Sequence, residues 1–256
     1  MRRALLVGIN QYSQPNLNLN GCVNDIRGIQ DLLIAKFGFK NDEIKLLLDF
    51  EATAANIRAQ LTALVTGLAD GDTAVFYFAG HGVEKGFNRP GEETLKDQAI
   101  VPHDISYSNL IVDDDLYTII TSGVGSPEIG FTAIYDCCHS GTMIRAIEFD
   151  ETGEPQLVLN RCFDLSELDG LQRRAAKIGP YNTLSACGDL QTAADLKIQG
   201  TPRGAFSYAL QTVLRESPDS TIANIGDKVL SLIQGVSKHP QIPEYYRVKP
   251  ESRVIG

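Results

Sequence analysis

Short apolar runs alternate with longer amphipathic ones along the first third of the chain. Residues 4–9 read ALLVGI, residues 44–48 read IKLLL and residues 73–78 read TAVFYF. Between them, residues 20–37 carry Val23, Ile26, Ile29, Leu32 and Leu33 at helical spacing, and residues 53–68 repeat the pattern with Ile57, Leu61, Leu64 and Leu68. Short runs rich in apolar and β-branched residues suit strands covered on both faces, and the intervening stripes suit helices that cover them. The spacing therefore predicts β-α-β-α-β and a parallel sheet. Punctuation agrees: Gly38 stands where the first helix needs a C-cap, Thr53 where the second needs an N-cap, and Gly71-Asp72 turns the chain into the third strand.

Farther along, residues 131–135 (FTAIY) and 182–186 (NTLSA) predict two more core strands, and residues 204–215 and 222–236 predict helices. The expected fold is α/β, with a mostly parallel sheet of about six strands and helices on both faces. Residues 83–102, which hold Pro90-Gly91, and residues 140–180, of mixed charge, lack either period and read as long loops of the functional kind. No repeat, low-complexity tract or linker divides the chain, so residues 1–256 read as one domain.

Composition narrows the function classes. A chain of 256 residues with 43% hydrophobic and 21% charged residues has enough apolar material for one large core. No run approaches the ~20 apolar residues of a membrane span, and residues 4–9 are too short for the apolar part of a secretory signal. A formal charge of -9 argues against a general nucleic-acid binder and favours cationic partners. The five cysteines, Cys22, Cys137, Cys138, Cys162 and Cys187, are odd in number and form no C-x-x-C pair. They suit a reducing cytoplasm, with Cys22, Cys162 and Cys187 read as structural. His81, His103, His139 and His239 show no H-E-x-x-H spacing, which argues against zinc.

Candidate chemistry gathers past the carboxyl ends of two predicted core strands, where open parallel sheets bind ligands. The run 73–78 leads into Ala79-Gly80-His81-Gly82, and the run 131–135 leads into Asp136-Cys137-Cys138-His139-Ser140-Gly141. A thiol attacks as thiolate, so it needs a base beside it, and a histidine on a neighbouring strand end supplies one. Cys138 is thus the candidate nucleophile and His81 its acid/base partner; the backbone amides of Gly82 and Cys138 are candidate oxyanion donors. His139 reads as part of the turn.

In this order, AGHG and DCCHSG resemble the histidine and cysteine motifs of the metacaspase and bacterial orthocaspase branch of the caspase clan. The resemblance extends over ALLVGIN at residues 4–10, GCVND at residues 21–25 and SACGDLQTAAD at residues 185–195. The gap between His81 and Cys138 is close to the roughly 50 residues of caspases, although their Q-A-C-R-G signature is absent. The resemblance implies a caspase-like three-layer sandwich, with a large-subunit part over about 1–145, an intersubunit loop over about 140–180 and a small-subunit part over about 181–256. It also implies a cysteine endopeptidase with an acidic S1 pocket for arginine or lysine, and its motif aspartates map onto Asp25 and Asp136, with Asp189 a further candidate. A guanidinium or ammonium leaving water needs such a carboxylate.

Family calcium sites would map onto Asp97 and the run Asp113, Asp114 and Asp115, but a further expected acid falls near Arg145, and a guanidinium serves a hard cation poorly. No cofactor is therefore expected, and the aspartate run also suits a helix start over residues 116–121. Self-cleavage within 140–180 is expected, with Arg145, Arg161, Arg173, Arg174 and Lys177 as basic sites and the Arg173-Arg174 pair favoured. The resemblance further implies a monomer, acting on peptide or protein substrates away from membranes. Two rival readings share the fold: a catalytically silent scaffolding module, which would tolerate loss of His81 and Cys138, and a thiol hydrolase of non-peptide esters or amides.

Overall fold

In the computed structural model, residues 1–87, 95–106, 108–137, 146–149, 155–160, 172–173, 179–187, 193–238, 240–249 and 251–256 are described. The chain runs β1 (Arg2–Gly8), α1 (Cys22–Phe37), β2 (Ile44–Leu48), α2 (Ala54–Val65), β3 (Thr73–Ala79), β4 (Gly82–Phe87), β5 (Leu95–Ile100) and β6 (Ile111–Val112). It continues through α3 (Asp113–Gly123), β7 (Gly130–Asp136), β8 (Ala146–Phe149), β9 (Pro155–Asn160), β10 (Gln172–Arg173) and β11 (Asn182–Ser185). The last part is β12 (Ala194–Ile198), β13 (Thr201–Gly204), α4 (Ala205–Glu216), α5 (Ile222–Val236) and β14 (Glu244–Tyr246).

The central sheet has six strands in the order β14-β11-β7-β3-β1-β2, parallel except for the antiparallel edge strand β14. From β1 the chain steps outward to β2, then back across β1 to β3. Right-handed crossovers in opposite directions place α1 and α2 on opposite faces. Accordingly α1 packs with α4, and α4 with α5, while α2 packs with α3. Every residue of β3 is buried, as its unbroken apolar sequence requires of a central strand.

Both predicted caps form. Gly38 adopts φ +70°, which a side chain would resist, and its amide bonds back to Leu33 O; Thr53 accepts a 3.2 Å bond from the Asn56 amide. On α1 the buried stripe is Ile26, Ile29, Leu32 and Leu33, each contributing about 1.5–3 kcal/mol when fully buried. At Gly8 a Cβ would come within 2.6 Å of Ile26 Cγ1, so the glycine lets the start of α1 press against the end of β1.

Regular structure also fills parts of both stretches expected to be loops. Residues 83–102 contain the β4–β5 hairpin, whose root buries Val83, Ala99 and Ile100. The polar sequence of this stretch shows no strand period, which is why the pattern alone reads it as a loop. The stretch 140–180 contains β8, β9 and β10, while the β12–β13 hairpin and β14 were not anticipated. Asp113, Asp114 and Asp115 lie inside the first turn of α3, whose N-cap is Val112. They therefore complement the helix dipole from within the helix.

Candidate active site

Three core strands stop level with one another. Gly8 of β1 is paired with Ala79 of β3, and Ala79 with Asp136 of β7. Two residues past each of these endpoints come Asn10, His81 and Cys138. The ladder runs slightly farther, through Ile9 N to Ala79 O at 3.0 Å and Gly80 N to Asp136 O at 3.3 Å. Neighbouring strands stand about 4.8 Å apart, so the two motifs leave the sheet side by side. Cys138 itself lies outside the described residues, as do His139, Arg145, Arg161, Cys162, Arg174, Lys177 and Asp189.

His81 is 3% exposed. Its Nε2 lies 2.8 Å from Leu17 O, its backbone amide donates to Tyr12 Oη at 2.7 Å, and its ring centre is 4.9 Å from that of Tyr12. A carbonyl oxygen only accepts, so Nε2 carries the proton in this contact, and in the neutral form of the ring the lone pair is on Nδ1. Gly82 opens β4 opposite Ile100 and is buried. The supports of the histidine come from the segment after β1, where residues Pro15–Leu17 form a short 3-10 turn.

Asp25 and Asp136 meet at the start of α4. Asp25 Oδ2 accepts the Gly204 amide at 2.8 Å and Asp136 Oδ2 accepts the Ser207 amide at 3.2 Å, both carboxylates being 0% exposed. Ser207 Oγ also donates to Asp136 Oδ2, and Tyr77 Oη lies 2.7 Å from that hydroxyl. Because the serine proton goes to the carboxylate, Tyr77 is the donor to Ser207. Asp25 also pairs with Arg203, whose Nε is 3.4 Å from Oδ1. The helix N-terminus favours both negative charges.

A further buried carboxylate, Asp195 on β12, is not among the candidates that the sequence singles out, although it ends the run 185–195. Its Oδ2 accepts the Asn20 amide at 2.9 Å and the Gly21 amide at 3.3 Å, while Asn10 Oδ1 accepts the Cys22 amide at 2.9 Å. Together they cap α1 from outside and fix the helix turn that carries Asp25. Cys22, Cys137 and Cys187 are buried. Beside Asp136, the Tyr135 hydroxyl is pushed well above the ordinary tyrosine range, chiefly by burial and then by Tyr181, Cys137 and Asp113.

A protein-family profile described as "Metacaspase, peptidase C14 domain" matches residues 2–147. The chain belongs to this family. Among curated relatives, Metacaspase-1 of Scheffersomyces stipitis is 29% identical, the alignment covering 99% of this chain and 72% of that protein. Metacaspase-1B of Aspergillus niger is also 29% identical, with 95% and 64% covered. Two solved structures share the fold: a Geobacter sulfurreducens protein at TM-score 0.68, 18% identity and coverage of 96% and 92%, and caspase-1 of Spodoptera frugiperda at 0.61, 11%, 96% and 86%. The caspase-like α/β architecture and the cysteine-peptidase family are thus established.

Of the residues mapped to a calcium site, Asp113, Asp114 and Asp115 lie in the first turn of α3. Asp113 Oδ1 accepts the Asp114 amide at 2.9 Å, and Asp115 pairs with Arg58 at 3.0 Å. The side chain of Asp97 lies outside the described part, and among the described residues no cluster of three or more His, Cys, Asp or Glu is arranged to hold a metal. Arg173 lies in β10, paired with Lys96 of β5, and its side chain is likewise outside the described part.

Proposed function

We propose that the protein is a cysteine endopeptidase that cuts after arginine or lysine, with Cys138 as nucleophile and His81 as acid and base. The observation that carries this reading is the level ending of β3 and β7 combined with the bond from His81 Nε2 to Leu17 O. That bond leaves Nδ1 as the basic nitrogen. In the first step Nδ1 takes the Cys138 thiol proton and the thiolate adds to the substrate carbonyl. The Leu17 carbonyl stabilises the imidazolium so formed, whose Nδ1 proton then passes to the leaving amine. Water, deprotonated by the same nitrogen, adds to the thioester, and the collapsing intermediate returns the thiol. The amides of Gly82 and Cys138 are the proposed donors to the oxyanion.

For the P1 side chain we propose a pocket whose negative charge comes from Asp25 and Asp136, with Asp189 contributing. Supporting this, Asp25 and Asp136 are buried and meet at one helix start beside the strand end that leads to Cys138. Calcium independence, self-cleavage at the Arg173-Arg174 pair or at Lys177, a monomeric state and a cytoplasmic location belong to the same proposal. No helix among the described residues is long and apolar enough to cross a membrane.

The test is hydrolysis of fluorogenic peptides ending in Arg, Lys or Asp, by the protein and by Cys138→Ala, each with calcium and with chelator. Expected is Arg and Lys cleavage that survives chelator and vanishes in the variant. Cleavage after Asp, or equal rates with Cys138→Ala, overturns the reading. Absence of all cleavage favours the scaffolding alternative.

A further inference from the structure

Arg203, in β13, sits in a seat with four parts. Its Nε lies 3.4 Å from Asp25 Oδ1, its Nη2 donates to Gln211 Oε1, and its guanidinium carbon stands 5.6 Å from the centre of the Tyr208 ring. The fourth part is clearance: a Cβ at Gly28 would meet Gln211 Oε1 and stand 3.1 Å from Arg203 Nη2. Gln211 is fixed in turn by its own amide, which donates to Asp25 O at 2.9 Å. Burial is graded across the seat, from 0% side-chain exposure at Asp25 to 18% at Arg203. The arginine thus stands between the carboxylate and solvent.

A carboxylate, an amide oxygen, an aromatic face and room for a flat group are what a site must present to an incoming guanidinium. Here the chain's own side chain fills such a site. We propose that Arg203 is the resident occupant of a guanidinium seat at Asp25, and that a P1 arginine or a small guanidinium compound competes with it for that carboxylate. The inference rests on the reading of Asp25 as part of S1. It implies a self-occupied resting pocket and a preference for arginine over lysine, because an ammonium cannot replace the planar contacts to Gln211 and Tyr208. Exchange of one guanidinium for another leaves the charge around Asp25 unchanged. The cost is therefore chiefly that of moving Arg203 outward.

Agmatine, a small guanidinium compound, provides a readout independent of catalysis. Its binding would be measured by calorimetry to the full chain carrying Cys138→Ala, alone and combined with Arg203→Ala or Arg203→Lys, with thermal unfolding recorded for each. If Arg203 occupies the seat about nine-tenths of the time, apparent affinity is weakened about tenfold. Arg203→Ala should then bind about tenfold more tightly, and Arg203→Lys should fall between. In the active protein, Arg203→Ala should lower KM for Arg peptides more than for Lys peptides. Equal agmatine affinity in the folded proteins overturns the proposal; should Arg203→Ala not fold, affinity in Arg203→Lys no tighter than in the Arg203 protein overturns it alone. The two readings fail separately: no basic-P1 cleavage by the unaltered protein sinks the pocket assignment, whereas basic-P1 cleavage with agmatine affinity unmoved sinks the seat.

Discussion

The two sides of the candidate cleft are built from different materials. On one side His81 is held by a carbonyl, a phenol and a ring face, all neutral and all drawn from residues 12–17. On the other, Asp25, Asp136 and Asp195 are buried among backbone amides, a serine hydroxyl and Arg203. A neutral cradle orients a base with little net field, whereas buried carboxylates stabilise positive charge and impose a folding cost if their partners are lost. Removing a support should therefore damage stability most on the carboxylate side and turnover most on the histidine side.

The largest effect on stability is expected from Asp25→Ala. It strands the Gly204 amide and leaves Arg203, 18% exposed, without its carboxylate. Breaking one partner of a largely buried pair costs about 3–5 kcal/mol. Chemical denaturation should show this loss, while Asp25→Asn, which keeps an acceptor for the Gly204 amide, should cost less. A change below about 1 kcal/mol for Asp25→Ala would show that this side is not held by its charges.

Ser207→Ala should come next. The serine links Tyr77 to Asp136, so its loss removes a bond to a charged group, about 1.5–3 kcal/mol, and deprives the Tyr77 hydroxyl of this acceptor. Adding Tyr77→Phe removes the other end of the same contact. The double variant should therefore lose less than the two single losses summed, as unfolding of all four proteins would show. Strict additivity would mean that the hydroxyl chain does not act as a unit.

Sequence pattern carried much of the frame and only part of the site. Strands β1, β3 and β7 are readable because a strand covered on both faces must be apolar along its length, β2 and β11 only from shorter runs that are partly buried, and helix α5 has the bounds its pattern predicts, Ile222–Val236. Strands β12, β13 and β14 are short and partly exposed, so neither period marks them. His81 stood out because glycines flank it after a strand. Leu17 did not, because it works through its backbone oxygen, which any residue provides. Arg203, Gln211 and Asp195 reach α1 or the segment just before it from the far end of the chain, and no spacing rule links such positions. Asp195 ends the run 185–195, and nothing in the sequence singles it out beside Asp189 of the same run. What separates Asp195 is that its carboxylate meets the amides of Asn20 and Gly21, a contact visible only after folding.

The smallest effect on stability, and the sharpest contrast between the two sides, should come from Tyr12→Phe. The change keeps the ring beside His81 and removes only the oxygen that accepts the His81 amide at 2.7 Å. A neutral bond of this kind is worth about 1 kcal/mol, rising toward 3 kcal/mol if the buried amide finds no substitute. Stability should thus fall by about 1 kcal/mol, less than for Ser207→Ala. Turnover should fall more, about tenfold, because a small tilt of the backbone at His81 moves Nδ1 off the line of proton transfer. KM should stay constant, since the carboxylate side is untouched. A rise in KM with turnover intact would mean that Tyr12 supports the pocket instead, and that the neutral and charged sides are not separable in function.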